Sequence, residues 1–507
     1  MTEIKQEQSV ASKTSSDVKG RYAVSHIFPD GTIADMVCIK QTDKSSFAVA
    51  SGDDIRLLDE LMVGEDGNLT SDVNKALFKF IPTRVVRDLV NKNFINVASG
   101  LEEYGTVTDL YHQIREHIQK YVILEDPRFY DVATGYVLMS WVFDRFNTVP
   151  YLRVVGDFGT GKSRFLEVVG KLCNRSMMAS GSISVAAVFR TIDLVQGTLV
   201  FDEADFKSSD MSDDIVKMLN GGHKKDTPVV RMELVNDVLK PTSFRVFGPK
   251  VLGSRRGFVD TALESRCITQ RLFPMKKVDV PIHLPVSFDY DSQVFRNKLQ
   301  LFRFKTFYNV QDDESSLLGI EIPRLRQTSL ALTSVVKMVG EEMLKPVLGF
   351  LVDYEKSLSD MVSTDVLADI LLCIARLIET NESVRSSGLI HMNLIANTFN
   401  EQFYEDYAER ETRIVNTRDG VLSIPGQRVS ARKIGSYIDK LGIAKTRTGH
   451  GVAIPLMTEG ARIMRMVERY GLTDVLNGIR EEEQNKSLLK KTPTATDGFV
   501  EDITPFK

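Results

Sequence analysis

Short runs of alternating apolar and polar residues occupy the first fifth of the chain. Between Arg21 and about Ala98 these runs include Met36-Val37-Cys38-Ile39, and turn-forming triplets such as Pro29-Asp30-Gly31 separate them. Alternation with a period of two is typical of strands that have one buried face. The pattern predicts a small β-rich domain, in which we find no candidate chemistry.

Helical spacing follows. Leu110, Ile114 and Ile118 recur every fourth residue and predict a helix over residues 108–122. A second helix is predicted over residues 132–146, and it carries Trp141, the only tryptophan. Both helices lead into the segment in which the candidate chemistry begins.

The strongest motif is Gly156 to Ser163, which fits G-x-x-x-x-G-K-[ST] and lies between an apolar run (Tyr151–Val155) and a segment with helical spacing. Glycines let backbone N–H groups close around phosphate oxygens, while Lys162 would reach the β- and γ-phosphates and Ser163 would ligate Mg²⁺. A loop that merely joins a strand to a helix would not need the Lys-Ser ending. The residues predicted to bind the nucleotide are Gly156, Asp157, Phe158, Gly159, Thr160, Gly161, Lys162 and Ser163.

An apolar run that ends in two acids lies further along the chain, at Leu199 to Glu203. Asp202 would complete the Mg²⁺ shell beside Ser163, and Glu203 would polarise the attacking water, because phosphoryl transfer depends mainly on positioning and charge neutralisation. An acidic pair after a strand is common by itself. Downstream of a complete phosphate loop, it predicts a nucleoside triphosphatase that uses ATP and Mg²⁺.

A third buried run ends at Ser254 and is followed by Glu264-Ser265-Arg266-Cys267-Ile268. The order of these motifs resembles the AAA+ ATPases, in particular the MCM-like branch of hexameric helicases and helicase-like ATPases of phages, plasmids and genomic islands. The resemblance covers residues 105–335 and implies that Ser254 is the sensor 1 residue, where Asn or Thr is usual. It also implies that Arg266 is an arginine finger for the neighbouring subunit. Arg266 could instead be a surface arginine that pairs with Glu264.

The resemblance implies two further sites. A sensor 2 arginine is expected from the helical lid, at Arg324 or Arg326. A hairpin between the second and third motifs is expected to project basic residues into a central pore, where lysines would neutralise phosphates without reading sequence. The candidates for that contact are His223, Lys224 and Lys225. The alternative is an ordinary solvated basic turn.

The C-terminal part resembles a winged helix. Leu389 to Tyr407 predicts one or two helices, Ser430 to Gly442 predicts a helix with an N-terminal cap and a terminal glycine, and Ala444 to Ile454 predicts a β-wing. A basic helix and a basic wing suit DNA binding, although winged helices also dock proteins. The candidate DNA contacts are Arg432, Lys433 and Lys445.

Charge and cysteine content narrow the function classes. The net charge is −4, so any DNA binding must come from local patches. The 4 cysteines show no metal-ligand spacing, and the polar first residues lack a signal core. No apolar run approaches the length of a membrane span, so we expect a cytoplasmic protein without a membrane partner.

Together these features predict an α/β protein with an AAA+ core of parallel strands and flanking helices, a helical lid, a β-rich N-terminal domain and a C-terminal winged helix. The leading hypothesis is a ring-forming, hexameric, DNA-dependent ATPase. It would act as a replicative helicase or translocase of a mobile element, with replication proteins as partners. The alternative is a non-translocating switch or loader that assembles on DNA and remodels a protein partner. The predicted boundaries are a disordered tail at 1–20, the β-rich domain at 21–104, the ATPase core at 105–275, the lid at 276–380, the winged helix at 381–475 and a disordered tail at 476–507.

Overall fold

The computed structural model describes most of the chain, in two compact units. Unit 1 comprises residues 1–354 and unit 2 comprises residues 355–507. Within them, the residues described are 14–180, 183–204, 210–235, 238–255, 257–258, 260–273, 280–363, 366–404, 413–417, 420–424, 427–470, 472–473 and 475–477.

Helices and strands alternate through the middle of the chain. The helices are α1 Arg84–Asn91, α2 Val107–Tyr121, α3 Arg128–Trp141, α4 Lys162–Gly170, α5 Val185–Val195, α6 Asp210–Gly221, α7 Thr261–Glu264, α8 Ser287–Thr306, α9 Pro323–Val339, α10 Glu341–Ser363, α11 Val366–Thr380, α12 Glu382–Ser387, α13 Met392–Gln402, α14 Ala431–Lys440 and α15 Leu456–Arg469. The strands are β1 Gly20–Ala23, β2 Ser25–Ile27, β3 Ile33–Ile39, β4 Lys44–Ser51, β5 Asp54–Leu58, β6 Leu61–Val63, β7 Phe78–Pro82, β8 Ile95–Asn96, β9 Tyr151–Val155, β10 Ser176–Ala179, β11 Leu199–Phe201, β12 Val229–Val235, β13 Val238–Phe244, β14 Lys250–Ser254, β15 Cys267–Arg271, β16 Leu389–His391, β17 Arg413–Thr417, β18 Gly420–Ile424, β19 Thr446–Thr448 and β20 Gly451–Pro455.

A 6-stranded sheet in the order β15-β9-β14-β11-β10-β8 forms the centre of unit 1. Its first five strands are parallel, and β8 joins β10 as an antiparallel edge strand. Every residue of β9, β11 and β14 is buried, as expected for parallel strands covered by helices on both faces. The predicted mixed α/β class with a parallel sheet is confirmed.

The N-terminal segment is β-rich, as the alternation predicted, but it shares its core with the central sheet. It forms a 4-stranded antiparallel sheet, β2-β3-β4-β5, and a 3-stranded sheet, β1-β7-β6. Its strand β3 is buried along almost its whole length, and its Ile33 and Val37 belong to the same hydrophobic cluster as Leu152 of β9. The segment therefore folds as part of unit 1.

A buried ionic cluster fastens this segment to the rest of unit 1. The carboxylate of Asp35 accepts hydrogen bonds from Arg175 at 2.9 Å, Arg303 at 2.8 Å and Gln300 at 2.9 Å. Despite complete burial, the two guanidinium groups and the hydrogen bonds hold the pKa of Asp35 well below its usual range. The carboxylate thus remains charged and paired inside the protein.

The helices before and after the sheet pack together. Helix α2 confirms the predicted helix over 108–122. Helix α3 begins four residues before the predicted 132–146 and ends five residues before it, and it is buried on all sides. Helices α8 and α9 contribute Phe302 and Leu332 to the same cluster as the sheet. The part of the predicted lid up to Tyr354 therefore lies within unit 1, whereas α11 belongs to unit 2.

Unit 2 contains a 3-stranded antiparallel sheet, β16-β20-β19, with α11, α13, α14 and α15 around one hydrophobic cluster. Part of the sequence prediction was wrong here, because Leu389–His391 is the strand β16 rather than the start of a helix. Its pairing with β20 gives these backbone groups partners that local sequence does not reveal.

The predicted terminal tails lie mostly outside the described residues, which begin at Thr14 and end at Asn477. Of the first tail, Ser15–Asp17 forms a short 3-10 helix and β1 begins at Gly20. Of the described helices, none combines the length and the apolar character that crossing a membrane demands.

Candidate functional site

The glycine-rich loop joins the carboxyl end of β9 to the first residue of α4. Gly161 is the N-terminal cap of α4 and has a φ of 90°, and Gly159 has a φ of 78°. Residues with a Cβ rarely adopt such positive φ values, so glycine suits both positions. Thr160 tightens the turn, because its hydroxyl donates to the carbonyl of Asp157 at 2.9 Å. The predicted strand, loop and helix are all present, and the helix N-terminus faces the position where an anion would bind.

Lys162 and Ser163 occupy the first turn of α4. The ammonium of Lys162 donates to the carbonyl oxygens of Gly156 at 2.5 Å and Asp157 at 2.7 Å. The hydroxyl of Ser163 donates to the carboxylate of Asp202 at 2.6 Å. Two motifs that are distant in sequence therefore meet at one edge of the sheet.

Asp202 and Glu203 follow the end of β11. The other oxygen of Asp202 accepts the backbone N–H of Glu203 at 2.8 Å. Glu203 has φ of 59°, a strained value for a residue with a Cβ, and its side chain is exposed. Asp202 thus contacts Ser163 while the side chain of Glu203 remains exposed.

Ser254 ends β14, which lies between β9 and β11 in the sheet. The register pairs Ser254 with Val155, and its carbonyl accepts the N–H of Gly156 at 3.2 Å. Its side chain is buried with 1% of its surface exposed. The strand order thus places the sensor 1 candidate between the phosphate loop and the acidic pair.

The donor set at this carboxyl edge fits a nucleotide with Mg²⁺. The hydroxyl of Ser163 and the carboxylate of Asp202 are hard oxygen ligands in contact with each other, and Mg²⁺ commonly takes only one or two protein ligands beside phosphates and waters. The described residues contain no cluster of three or more His, Cys, Asp or Glu side chains suited to a metal. A metal held by few protein groups is consistent with that finding. Phe158, at the tip of the loop, is 88% exposed.

Arg266 lies at the opposite, amino edge of the sheet. It directly precedes β15, and its carbonyl accepts the N–H of Tyr151, the first residue of β9. Five residues of β9 separate this edge from the phosphate loop, a distance of about 17 Å at about 3.3 Å per residue. One arginine side chain does not span that distance, so Arg266 cannot reach the glycine-rich loop of its own chain.

Glu264 does not pair with Arg266, the alternative that the sequence left open. It makes a two-pronged ion pair with Arg153, the central residue of β9, with one N–O distance of 2.7 Å. Arg153 is 1% exposed, so its charge requires this partner. Sequence reasoning missed this pair, although a charged residue inside an apolar strand was a signal that a buried partner exists.

The side chain of Arg266 instead meets His223. Its Nε donates to Nδ1 of His223 at 3.0 Å, and a terminal nitrogen donates to the carbonyl of Ala262. Burial and the neighbouring charge of Arg324 lower the pKa of Arg266. The structure thus brings together three residues that were assigned to separate sites, namely His223, Arg266 and Arg324.

The two sensor 2 candidates differ in their surroundings. Arg326 donates to the carbonyl oxygens of Leu317 at 3.2 Å and Ile320 at 2.8 Å, which fixes the turn before α9. Arg324 donates to the side-chain oxygen of Gln327 at 2.7 Å. Its positive charge is close enough to Arg266 to help lower the pKa of that guanidinium. The contacts of Arg324 and Arg266 therefore lie at the amino edge of the sheet.

The predicted hairpin consists of β12 and β13, which pair from Val229↔Phe244 to Val235↔Val238. His223, Lys224 and Lys225 lie before its first strand, at its base, and not at its tip. His223 is only 7% exposed, whereas both lysines are exposed. We call Lys224 and Lys225 the hairpin-base lysines. Only they have the accessibility that a phosphate contact requires.

Lys250, which the sequence analysis did not single out, closes the base of the hairpin. Its ammonium is buried and donates to the carbonyl oxygens of Gly222, Val246 and Gly248, each at 2.8 Å. Burial lowers its pKa to about 7. A Cβ on Gly222 would lie 2.7 Å from this ammonium nitrogen, so glycine is required there.

The candidate DNA contacts of unit 2 lie on and beside α14. Ser430 caps this helix by accepting the N–H of Lys433 at 3.3 Å, and Ile434 and Ile438 face the core as predicted. Arg432 and Lys433 are exposed, whereas Lys445 is held by Asp439 at 2.7 Å. We call Arg432, Lys433 and Lys445 the C-terminal basic cluster.

A cavity of about 540 Å³ lies between α14 and the β19–β20 hairpin. Arg432, Lys445, His391 and His450 contribute to its lining. The two histidines were not predicted, and their ring centroids are 6.4 Å apart. The lining also includes Asp439 and apolar side chains such as Met392 and Val452, so the cavity is mixed in character and not purely cationic.

Comparisons with known proteins give distant likenesses only. No protein-family model and no curated protein matches the chain. The solved structure described as SCCmec type IV Cch, an active helicase, is 10% identical with a TM-score of 0.38, covering 82% of this chain and 80% of that one. The apo structure of the NrS-1 C-terminal region is 12% identical with a TM-score of 0.31, covering 78% and 96%. These scores are too low to support an argument, so function must be inferred from the residues of this chain.

Proposed function

We propose that this protein is a ring-forming ATPase of the AAA+ type that acts on DNA as a helicase or translocase. One observation carries the proposal: the phosphate loop and acidic pair lie at the carboxyl edge of the sheet, whereas Arg266 lies at the amino edge. Because Arg266 lies too far from the phosphate loop of its own chain, we propose that it acts on the phosphate loop of a neighbouring subunit. Heterologous contacts of this kind generate rings when the rotation closes.

Each residue of the carboxyl edge has a distinct part in hydrolysis. Lys162 would exchange its contacts with the loop carbonyls for the β- and γ-phosphate oxygens, and Ser163 and Asp202 would hold Mg²⁺, which neutralises phosphate charge when bound. Glu203 would orient and deprotonate the attacking water, with Ser254 beside it. Arg266 of the adjacent subunit would stabilise charge that develops on the γ-phosphate, an effect of about 10³–10⁵ in rate.

The DNA contacts are proposed on separate surfaces. The C-terminal basic cluster, on a helix beside a β-hairpin, would bind duplex as a winged helix does. The hairpin-base lysines would contact the phosphates of a strand inside the ring. Neither surface needs to read bases, because contacts to phosphates position a protein without specifying sequence.

A switch or loader that remodels a protein partner is the second candidate, and one feature of the hairpin favours it. Val230, Met232 and Leu234 of β12 and Leu239 of β13 are 59–67% exposed. The opposite face of β12 pairs with the helices beneath, through Arg231 with Asp214 and Glu233 with Arg190. Exposed apolar patches are typical of protein-contact surfaces.

The first experiment measures ATP binding and turnover on purified protein. Lys162→Ala should abolish binding or turnover, while Glu203→Gln should bind ATP normally and hydrolyse it poorly. Glu65→Gln, an exposed loop residue of unit 1, serves as the control and should match the wild type. Near-normal turnover by Glu203→Gln would show that Glu203 is not the base.

A forked duplex separates the two candidates. A helicase should displace the strand in the presence of ATP, and Lys162→Ala should not. ATP-dependent binding to the fork without strand separation would contradict the helicase proposal and favour the switch or loader.

A further inference from the structure

The position of the Arg266 guanidinium depends on a residue from another part of the chain. Its Nε donates to Nδ1 of His223 at 3.0 Å, and one terminal nitrogen donates to the carbonyl of Ala262 in its own segment. A bond at Nε sets the plane of the guanidinium fork, and the contacts to His223 and Ala262 leave the second terminal nitrogen for a ligand. His223 is therefore well placed to aim this side chain.

The backbone of His223 is fixed on both sides. The carbonyl of Gly222, just before it, accepts from the buried Lys250 at 2.8 Å. Its own carbonyl accepts the N–H of Val149 at 2.9 Å, two residues before β9. The imidazole consequently projects toward Arg266 from a rigid support.

The charge state of His223 suits an acceptor. Burial, with smaller contributions from the charges of Arg266 and Arg324, lowers its pKa to about 4, so the ring is neutral near pH 7. A guanidinium only donates, so Nδ1 is the unprotonated nitrogen when it bonds to Arg266. The carbonyl of Asn220 also lies 3.0 Å from Nδ1 and would take its proton in the other tautomer. The ring thus has two alternative partners at one atom.

A second contact joins the same two segments. The amide of Asn220, in the last turn of α6, donates to the carboxylate of Asp260 at 3.1 Å, and that carboxylate also accepts the N–H of Leu263 at 2.8 Å. The short helix that leads to Arg266 is therefore held by the end of α6. Lys224 and Lys225 follow this end of α6 after only Gly222 and His223.

We infer that His223 is a positioning residue for the arginine that acts on the neighbouring subunit, and that it links phosphate contact at the hairpin-base lysines to hydrolysis at that site. The inference rests on the proposed function, because it requires Arg266 to act in trans. When Lys224 and Lys225 bind a polyanion, the position of the adjacent His223 would change. The hydrogen bond from Arg266 to the imidazole would then change the position of the guanidinium.

The test is a double-mutant cycle read as kcat and KM for ATP, with and without single-stranded DNA. His223→Ala should lower kcat by about ten- to hundredfold, the range expected for loss of a hydrogen bond to a charged group, and leave KM nearly unchanged. It should also remove stimulation by DNA. His223→Gln, whose amide oxygen can accept from Nε, should recover part of both.

Arg266→Lys supplies the other side of the cycle, since lysine keeps the charge but has no Nε. If His223 acts through Arg266, then adding His223→Ala to Arg266→Lys should cause no further loss. An equal additional loss in that background would show that His223 acts by another route and would overturn the inference.

His117→Ala is the matched control for burial. His117 is also 7% exposed in unit 1, but it packs against Tyr121 and Phe288. It should keep wild-type kcat and DNA stimulation; a loss equal to that of His223→Ala would reduce the effect to general destabilisation and overturn the inference. Full activity of His223→Ala with loss in Arg266→Ala would overturn the inference and leave the proposed function intact. Full activity of Arg266→Ala would refute the trans arginine itself.

Discussion

Mixing two inactive variants tests whether each active site is shared between subunits. Lys162→Ala removes the proposed phosphate ligand at the carboxyl edge, and Arg266→Ala removes the guanidinium at the amino edge. Each variant alone should have lost most of its turnover, by about 10³–10⁵-fold for the arginine. If the two edges of neighbouring subunits form one site, then a ring of both variants contains some intact sites.

The size of the recovery follows from the arrangement. A working site needs its loop from an Arg266→Ala subunit and its arginine from a Lys162→Ala neighbour. With equal amounts and random assembly, about one quarter of the interfaces meet both conditions, because every heterologous interface joins two unlike surfaces in a fixed order. We therefore expect up to about one quarter of wild-type turnover, with a maximum at equal mixing.

Steady-state phosphate release across a series of mixing ratios measures this recovery on co-expressed proteins. Lys162→Ala mixed with Glu203→Gln is the matched control, because both defects lie at the carboxyl edge and no composite site is intact. That mixture should stay inactive at every ratio. A Lys162→Ala and Arg266→Ala mixture that never exceeds the sum of its components would refute the shared site.

Three further predictions concern stability and DNA binding. Asp35→Asn should lower the free energy of unfolding in urea by about 3–5 kcal/mol, because buried Arg175 loses its counter-charge and buried Arg303 keeps only Asp144, whereas Asp54→Asn, whose ion pair is exposed, should change little. Since the pKa of Asp35 is depressed on folding, this stability should be present above about pH 4 and be lost as the pH falls toward the depressed value; no acid-dependent difference between wild type and Asp35→Asn would contradict the assignment. Alanine substitution of the C-terminal basic cluster should weaken duplex binding and reduce its salt slope by about one unit per lost phosphate contact, while basal ATPase survives. Alanine at the hairpin-base lysines should spare duplex binding and remove stimulation of the ATPase by DNA, and unwinding at the wild-type rate would refute their role.

The sequence predicted the carboxyl edge of the sheet well because its signals are local. Each of the motifs ending at Ser163 and Glu203 combines a buried strand with chemistry in the next few residues. A parallel sheet brings such strand ends to one edge, and the contact between Ser163 and Asp202 at 2.6 Å fulfils that expectation. Strand order was not needed to predict this contact, only the direction of the strands.

The amino edge could not be predicted in the same way, because its partners are distant in sequence. His223 looked like part of a basic turn, yet it is buried against Arg266, and Glu264 pairs with Arg153 instead. Both arrangements depend on which strand lies beside β9. A charged residue within an apolar strand, as at Arg153, indicates that a buried partner exists, but nothing in the sequence identifies it.

If Arg266 acts in trans as proposed, its hydrogen bond to His223 is of the right strength to change the rate of ATP hydrolysis. A tenfold change in rate corresponds to about 1.4 kcal/mol, and a hydrogen bond to a charged group contributes about 1.5–3 kcal/mol. Making or breaking this one bond would therefore suffice for a substantial response to DNA, without rearrangement of the sheet. The two partners of Nδ1, Arg266 and the Asn220 carbonyl, give the imidazole two discrete arrangements at the end of α6. A contact at Lys224 or Lys225 need only favour one arrangement by that amount, because coupling between two sites equals the difference in free energy that the ligand makes between two states.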